Sequence, residues 1–422
     1  MRWWIVWTLF FSTVTNYISR QTFSVLSPVI TRQFHLSHTD LSRILGAFQV
    51  SYAVTWLLGG ILLDAVGTRL GLALAAGWWS VMNMLTGLAG SVSGFAFFRF
   101  MLGIGEGFNW PAASKAVGEW FPRQERSLAV AIFDSGSSVG GALAALAIPW
   151  IALAFGWRWA FVFSGMVGLV WLLVWLRVYH PLDRHPRLTL EELALIQAGR
   201  DTALTSGRRG VSRWLGLLRD SNVWGIVLGR SLTDPIWWFY VFWLPQYLSD
   251  ARGFDLKRIA LFAWIPFAAA DLGNFTGGLI SGYCVRRGLP VIRARKWVCA
   301  VSCIPVLAGI PAARVHSAYL ALALICVALW GYASWSTMGL TFPSDLFPQD
   351  VVASVTGLSG LVASGLAGTG FTLAVGMLVD RSHSYGPAFL AAGILPLFAT
   401  ASVFLLIHPR TAVEPSADQR PQ

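Results

Sequence analysis

The residues of this sequence that can do chemistry are ionisable groups set inside long apolar runs. Arg20 lies in the first run, Arg99, Glu106 and Lys115 in the fourth, and Asp134 in the fifth. Arg230 and Asp234 lie in the seventh and Asp271 in the eighth. A charge at membrane depth costs several kcal/mol, so it persists where it faces a protein interior or a watery cavity. An arginine there offers a planar fork of donors that meets a carboxylate bidentately. An acid there is pulled toward its neutral form by desolvation and toward its ionised form by a nearby arginine. It can therefore exchange a proton when that arginine is taken by another anion. The seven histidines, from His35 to His408, all fall in loops or at the ends of runs, which leaves Glu106, Asp134, Asp234 and Asp271 as proton candidates. Glu106 comes first, because Arg99 stands seven residues before it on the same helical face. Asp134 comes second, with a fixed hydrogen-bonding role as its alternative. Arg20 can bind an anion or pair with an acid of its own bundle. Arg230 has the same choice, and Asp234, four residues on, can neutralise it.

These groups need a scaffold that crosses lipid. Of 422 residues, 55% are hydrophobic and 12% charged, about half the charge density of a soluble domain. A membrane span takes about 20 apolar residues. Such runs occur at about 3–30, 39–64, 69–92, 95–121, 127–153 and 158–179, then at 223–249, 257–285, 294–312, 317–342, 352–379 and 386–407. Residues 180–222 between the two sets are polar and arginine-rich, and the tail from 411 to 422 reads as disordered. The pattern is six spans, a loop and six spans. The 22 Trp and 27 Phe suit interfacial belts and lipid-facing surface. Gly103, Gly105 and Gly107 strip bulk from around Glu106 and let a neighbouring helix or a solute approach.

The net charge of +11 has a membrane explanation. With both termini in the cytoplasm, the inner connections hold Arg69, Arg123, Arg126, the 180–222 stretch and the cluster from Arg286 to Lys296. The outer connections carry fewer such residues, and this bias sets the orientation. Nucleic-acid binding would need a soluble basic domain, which the sequence lacks. The four cysteines lie in or beside apolar runs of the second half and form no disulfide framework. The first run continues past Asn16 and Arg20 without a small-residue cleavage site and is read as an uncleaved helix. The sequence contains neither a phosphate-binding loop that would support ATP-driven transport nor a His/Cys cluster with metal spacing, so no cofactor is expected.

The halves echo each other. Glu119-Trp-Phe-Pro122 follows the fourth run and Asp345-Leu-Phe-Pro348 the tenth, while Gly59-Gly60 matches Gly277-Gly278 and Arg20 matches Arg230. Gly60-x-x-x-Asp64-x-x-Gly67-x-Arg69, between the second and third runs, resembles the loop signature of the major facilitator superfamily, whose role is conformational. Asn16-Tyr17-Ile-Ser19-Arg20 and the stretch from Gly103 to Lys115 resemble the anion:cation symporter branch. Phe262 to Gly273 and Trp224 to Pro235 are most similar to its bacterial hexuronate transporters.

The resemblance implies an all-α integral membrane fold of twelve transmembrane helices in two pseudo-symmetric six-helix bundles, residues 1–179 and 223–410. It also implies alternating access around a midplane site, and it implies roles. Arg20 matches the arginine that holds a substrate carboxylate, and Tyr17 and Tyr52 match tyrosines of the same cavity. Glu106 matches the protonatable glutamate and Arg99 its neighbour. Asn109, Arg230, Trp237 and Trp335 are further expected substrate contacts, with Asp134 and Asp234 as further proton-linked acids. Where the branch often has Asp before the first-span arginine, this chain has Ser19, which removes one of the two proton-linked carboxylates of galactonate-type members.

The expectation is a monomeric, proton-coupled importer of a small organic anion, a hexuronate first, in a bacterial inner membrane. An aldonate, aldarate or aromatic carboxylate is the alternative cargo. A non-transporting sensor using residues 180–222 as its partner surface is the alternative of another class. An enzyme is not expected, because nothing resembles a nucleophile with its base.

Overall fold

The computed structural model describes residues 1–182, 187–198, 217–347 and 349–408, and among these all regular structure is helical. The first half holds α1 (Arg2–Phe34), α2 (His38–Val66), α3 (Thr68–Thr86), α4 (Val92–Glu106), α5 (Asn109–Trp120), α6 (Arg123–Phe155), α7 (Trp157–Val178) and the short α8 (Leu190–Ala198). The second half holds α9 (Ser221–Asp250), α10 (Leu256–Phe262), α11 (Ile265–Arg286), α12 (Val291–Val306), α13 (Gly309–Ala312) and α14 (Ala318–Leu346). It ends with α15 (Gln349–Gly360), a π-helical segment (Leu361–Ala367), α16 (Gly368–Ser382) and α17 (Gly386–Leu406). Most of the 180–222 stretch, and the tail from 411 to 422, lie outside the described residues.

Several runs that read as single spans are divided, and prolines account for three of the breaks. Pro111 has no N–H to give the Gly107 carbonyl, and the helix parts at Gly107–Phe108 into α4 and α5. Pro266 likewise cannot bond Phe262, where α10 ends, and Pro311 cannot bond Leu307, between α12 and α13. The fourth divided run carries the π segment instead. Ser37 and Asp40 form a capping box that opens α2. Gly67 turns α2 into α3 at φ 85°, a backbone region that favours glycine.

Six described segments are long and apolar enough to cross a membrane by length and composition: Leu128–Phe155, Trp157–Val178, Leu256–Arg286, Ala318–Leu346, Ser354–Ser382 and Gly386–Leu406. Helices α1 and α9 have the length, but Trp, Ser, Thr, Asn and an arginine lower their average hydropathy. Their polar residues point inward: in α1, Ser12, Asn16, Ser19, Arg20, Gln21 and Ser24 are all buried. The outward faces are apolar instead, as with Leu74, Phe97, Val170 and Phe275, which suits a lipid surround.

Within the first half α1 packs on α6, α2 on α4 and α3 on α7; within the second α9 packs on α17, and α11 and α12 both pack on α14. Helix α4 is wedged between α2 and α3. A Cβ at Gly103 would stand 2.5 Å from the Phe48 carbonyl oxygen, and one at Gly105 2.9 Å from the Trp79 amide nitrogen. Backbone-to-backbone packing of this kind needs the missing side chain.

The two halves meet through α1 with α9, α2 with α16 and the π segment, and α6 with α10 and α11. The hydrogen bonds joining them between described residues gather at the end remote from both termini, here the distal end. There Arg32 Nη2 donates to Ser249 Oγ (2.5 Å), and Gln246 Nε2 to Thr31 Oγ1 (3.3 Å). The Thr39 amide donates to Asp380 Oδ2 (2.7 Å), and His38 bridges Asp250 and Asp380 at 3.0 and 2.9 Å.

Candidate functional site

Between the halves lies a cavity of about 160 Å³, lined from the first half by α1, α2, α5 and α6 and from the second by α9, α11, α14 and the π segment. That volume is close to the roughly 150 Å³ of a cavity that admits benzene and well below the roughly 300–1,000 Å³ of drug-sized sites. It suits a small solute.

Arg20 forms the first-half wall. It is 1% exposed, because α1 turns this face into the bundle. Its Nε donates to Glu106 Oε2 at 2.9 Å and its Nη2 to Asn16 Oδ1 at 3.0 Å. The guanidinium carbon lies 4.4 Å from the Tyr17 ring centre, 4.6 Å from that of Tyr52, 5.2 Å from Phe48 and 5.5 Å from Trp238. Aromatic faces attract a cation, and here they hold the fork in place. Trp238 comes from α9, so both halves enclose this arginine.

Glu106 stands behind Arg20, fully buried, and its Oε1 has no hydrogen-bond partner among the described residues. Arg99 lies on the same side, also fully buried, with Nη1 donating to the Arg20 carbonyl oxygen at 3.2 Å. Its guanidinium sits over Phe48 (4.6 Å) and Phe23 (5.2 Å), and its Nε and Nη2 have no partner among the described residues. Among the described residues Glu106 is ion-paired with Arg20 alone, and Arg99 is a second buried guanidinium near the pair.

The second-half wall is built around Arg230. Its Nη2 donates to Asp234 Oδ2 at 2.8 Å and its Nη1 to Ser359 Oγ at 2.9 Å. Ser364, in the π segment, donates to the same Asp234 oxygen at 2.8 Å. Trp237 stacks on Tyr332 with ring centres 6.1 Å apart and 12° between planes, forming an aromatic face beside this pair.

Of the residues singled out from sequence, Tyr17, Arg20, Tyr52, Asp134, Arg230, Asp234 and Trp237 line one cavity. Glu106 and Arg99 stand one layer behind it. Asn109 and Trp335, expected at the cavity, are set back behind its wall. Asn109 accepts from Ser12 Oγ (2.6 Å) and donates to Thr13 Oγ1 (3.2 Å), which ties α5 to α1. Trp335 is buried beside Gly229 of α9 and donates to Thr400 Oγ1 at 2.8 Å. Asp134 neighbours Trp110 and feels the charge of Asp271 across the halves. The surroundings of Gly60 and the side chain of Asp64 are not among the described features. Arg69 donates to the Leu176 carbonyl at 2.6 Å, fastening the α2–α3 turn to the end of α7. Asn274, Ser336 and Ser364 were missed; small polar residues in apolar helices carry no positional signal until their face is known. Among the described residues no cluster of His, Cys, Asp or Glu is placed to hold a metal ion.

Comparison with known proteins gives this geometry a context. The chain is 33% identical over 419 residues to the hexuronate transporter of Escherichia coli, covering 98% of this chain and 96% of that one. It is 38% identical over 280 residues to the galacturonate transporter of Dickeya chrysanthemi, covering 66% and 81%. It is 33% identical over 413 residues to a probable sulfoacetate transporter of Cupriavidus necator, covering 96% and 93%. Its fold matches a bacterial homologue of the human lysosomal transporter Spinster, solved inward-facing and occupied, with a TM-score of 0.75 at 19% identity over 96% of both chains. Residues 9–370 match the family model of the Major Facilitator Superfamily. The chain therefore belongs to the major facilitator superfamily, a family of membrane transporters and not of enzymes.

Proposed function

We propose that this protein is a proton-coupled symporter that imports a sugar acid, a hexuronate first, by alternating access. The observation that carries the reading is the Arg20–Glu106 ion pair set into the wall of a small cavity between the halves. A carboxylate entering the cavity meets Arg20, the cationic fork on the first-half wall, and competes with Glu106 for it. A proton on Glu106 ends that competition, so substrate and proton bind together. Arg99, fixed behind the pair, keeps this side of the site cationic. Tyr17 and Tyr52 border the carboxylate end. Hydroxyls of the cargo fall toward α9 and α14. The similarity to a hexuronate transporter and a galacturonate transporter supports the same cargo.

In this reading the chain has twelve spans, with residues 1–179 and 223–410 rocking as two bundles about the cavity. It works as a monomer with both termini cytoplasmic, and the closed distal end then faces outward. The test is uptake into proteoliposomes. An inward proton gradient should drive glucuronate uphill, and collapsing the gradient should stop accumulation. Uphill uptake that ignores the gradient would remove proton coupling.

A second cargo, an organic anion without a sugar backbone, is favoured by the 33% identity to the probable sulfoacetate transporter. Competition by a panel of acids against labelled glucuronate separates the two.

A further inference from the structure

Both walls of the cavity pair an arginine with an acid, and Asp134 lines the first-half wall as well, but the arginine's own acid is placed differently on each wall, which bears on how many charges the cargo carries. On the first-half wall, Arg20 is bonded to an acid that stands behind it, outside the lining. On the second-half wall, both Arg230 and its acid line the cavity. Asp234 Oδ2 is filled by Arg230 and Ser364. Oδ1 takes no hydrogen bond from the described residues, and Asp234 lines the cavity with 7% of its surface exposed. It is therefore an acceptor open to the cavity. A carboxylate oxygen in that position accepts a hydroxyl and repels a second carboxylate or sulfonate, and repulsion of the wrong partner is a usual source of specificity.

We propose that Asp234 is the specificity-determining residue that restricts this transporter to monoanionic polyhydroxy acids. The cargo carboxylate lies on Arg20, and a hydroxyl at its far end donates to Asp234 Oδ1. Dianions such as aldarates or sulfoacetate are rejected, because the one arginine that could receive their second charge, Arg230, is already neutralised by Asp234. Asn274 and Ser336, on the same wall, are placed to complete the hydroxyl contacts. The proposal rests on the sugar-acid reading above and adds a charge count to it.

The test is ligand binding to the purified full-length protein at fixed pH, using glucuronate and galactonate as monoanions and galactarate and sulfoacetate as dianions. The wild type should prefer the monoanions by about tenfold or more, the scale of one well-placed charge contact. Asp234→Asn frees Arg230 and should shift the dianion-to-monoanion ratio by at least tenfold toward galactarate. Should Asp234→Asn fail to fold, the double variant Arg230→Gln/Asp234→Asn, neutral at both positions, should still lose the discrimination. Dianions bound by the wild type as tightly as glucuronate, or a ratio unmoved in a folded variant, would overturn the proposal and leave the sugar-acid reading intact. Binding of galactonate without glucuronate, with dianions still rejected, would overturn the hexuronate assignment and support the charge rule. Silence from all four acids would overturn both.

Discussion

Arg20 Nε and Glu106 Oε2 stand 2.9 Å apart, joining α1 to α4, with the two side chains 1% and 0% exposed. The pair has no access to bulk water, and Arg99 adds a second positive charge nearby without a carboxylate of its own. Buried pairs of this kind stabilise little in net terms, because desolvation offsets their attraction. In the proposed mechanism one member, Arg20, faces the cavity and is drawn to the cargo carboxylate, while Glu106 takes a proton.

Glu106→Gln should therefore uncouple transport from the proton. Uphill uptake in proteoliposomes should disappear, while substrate binding and one-for-one exchange persist. A Glu106→Gln protein that concentrates glucuronate as well as wild type would show that the proton rides elsewhere, with Asp134 next in line.

Arg20→Ala should cost both stability and binding. Removing one member of a buried pair leaves the other uncompensated, at a cost of about 3–5 kcal/mol. Adding Glu106→Gln to Arg20→Ala should recover much of the melting temperature in detergent and none of the glucuronate affinity. Full recovery of affinity in the double variant would show that Arg20 serves structure alone.

Gly103→Ala should destabilise the wedge of α4 against α2. Its new Cβ would meet Ser51 Oγ and lie 2.5 Å from the Phe48 carbonyl oxygen. Overpacking of this kind costs about 1–3 kcal/mol. Gly118→Ala, with nothing within 4 Å of its Cβ, is the matched control and should be close to neutral. Thermal unfolding of the two variants side by side checks the difference.

The distal end should respond to pH through His38, the first residue of α2, which lies outside the 39–64 span. The hydrogen bond to Asp250 outweighs the cost of burial, Asp380 adds to it, and the imidazole is held above its ordinary 6.5. The Tyr385 hydroxyl, bonded to Asp250 at 3.1 Å, is the other titratable group beside it. The closed end binds the proton more tightly than an open one. The extra stability of closure is thus fully present below about 6.5 and fades as pH rises through the raised value. Spin labels at Leu88 and His316, in a folded background lacking native cysteines, should show the distal end closed at about pH 5.5 and more open at about pH 8.5. His38→Gln should flatten that dependence. A pH response unchanged by His38→Gln would assign it to Glu106 or another group.

The all-helical membrane-transporter class and the small set of residues worth testing were legible in the sequence. Charges are rare enough in apolar runs that each one carries information. Arg20, Tyr17, Tyr52, Arg230 and Asp234 could be picked out from their position in the runs and the family they resemble. Hydropathy reports how apolar a window is and says little about which side of a helix faces inward. Asn109 and Trp335 could therefore be placed at mid-run depth and still stand behind the cavity wall. The break at Gly107 escaped the reading for a related reason: the Pro111 signal is local, and a 27-residue apolar run hides it. Only the tertiary structure decided that Glu106 stands behind Arg20 and not beside the cavity. It also decided that the partner of Arg230 lines the cavity while the partner of Arg20 stands outside its lining. Both outcomes depend on the rotation of each helix about its axis, which is fixed by glycine-mediated packing against distant parts of the chain.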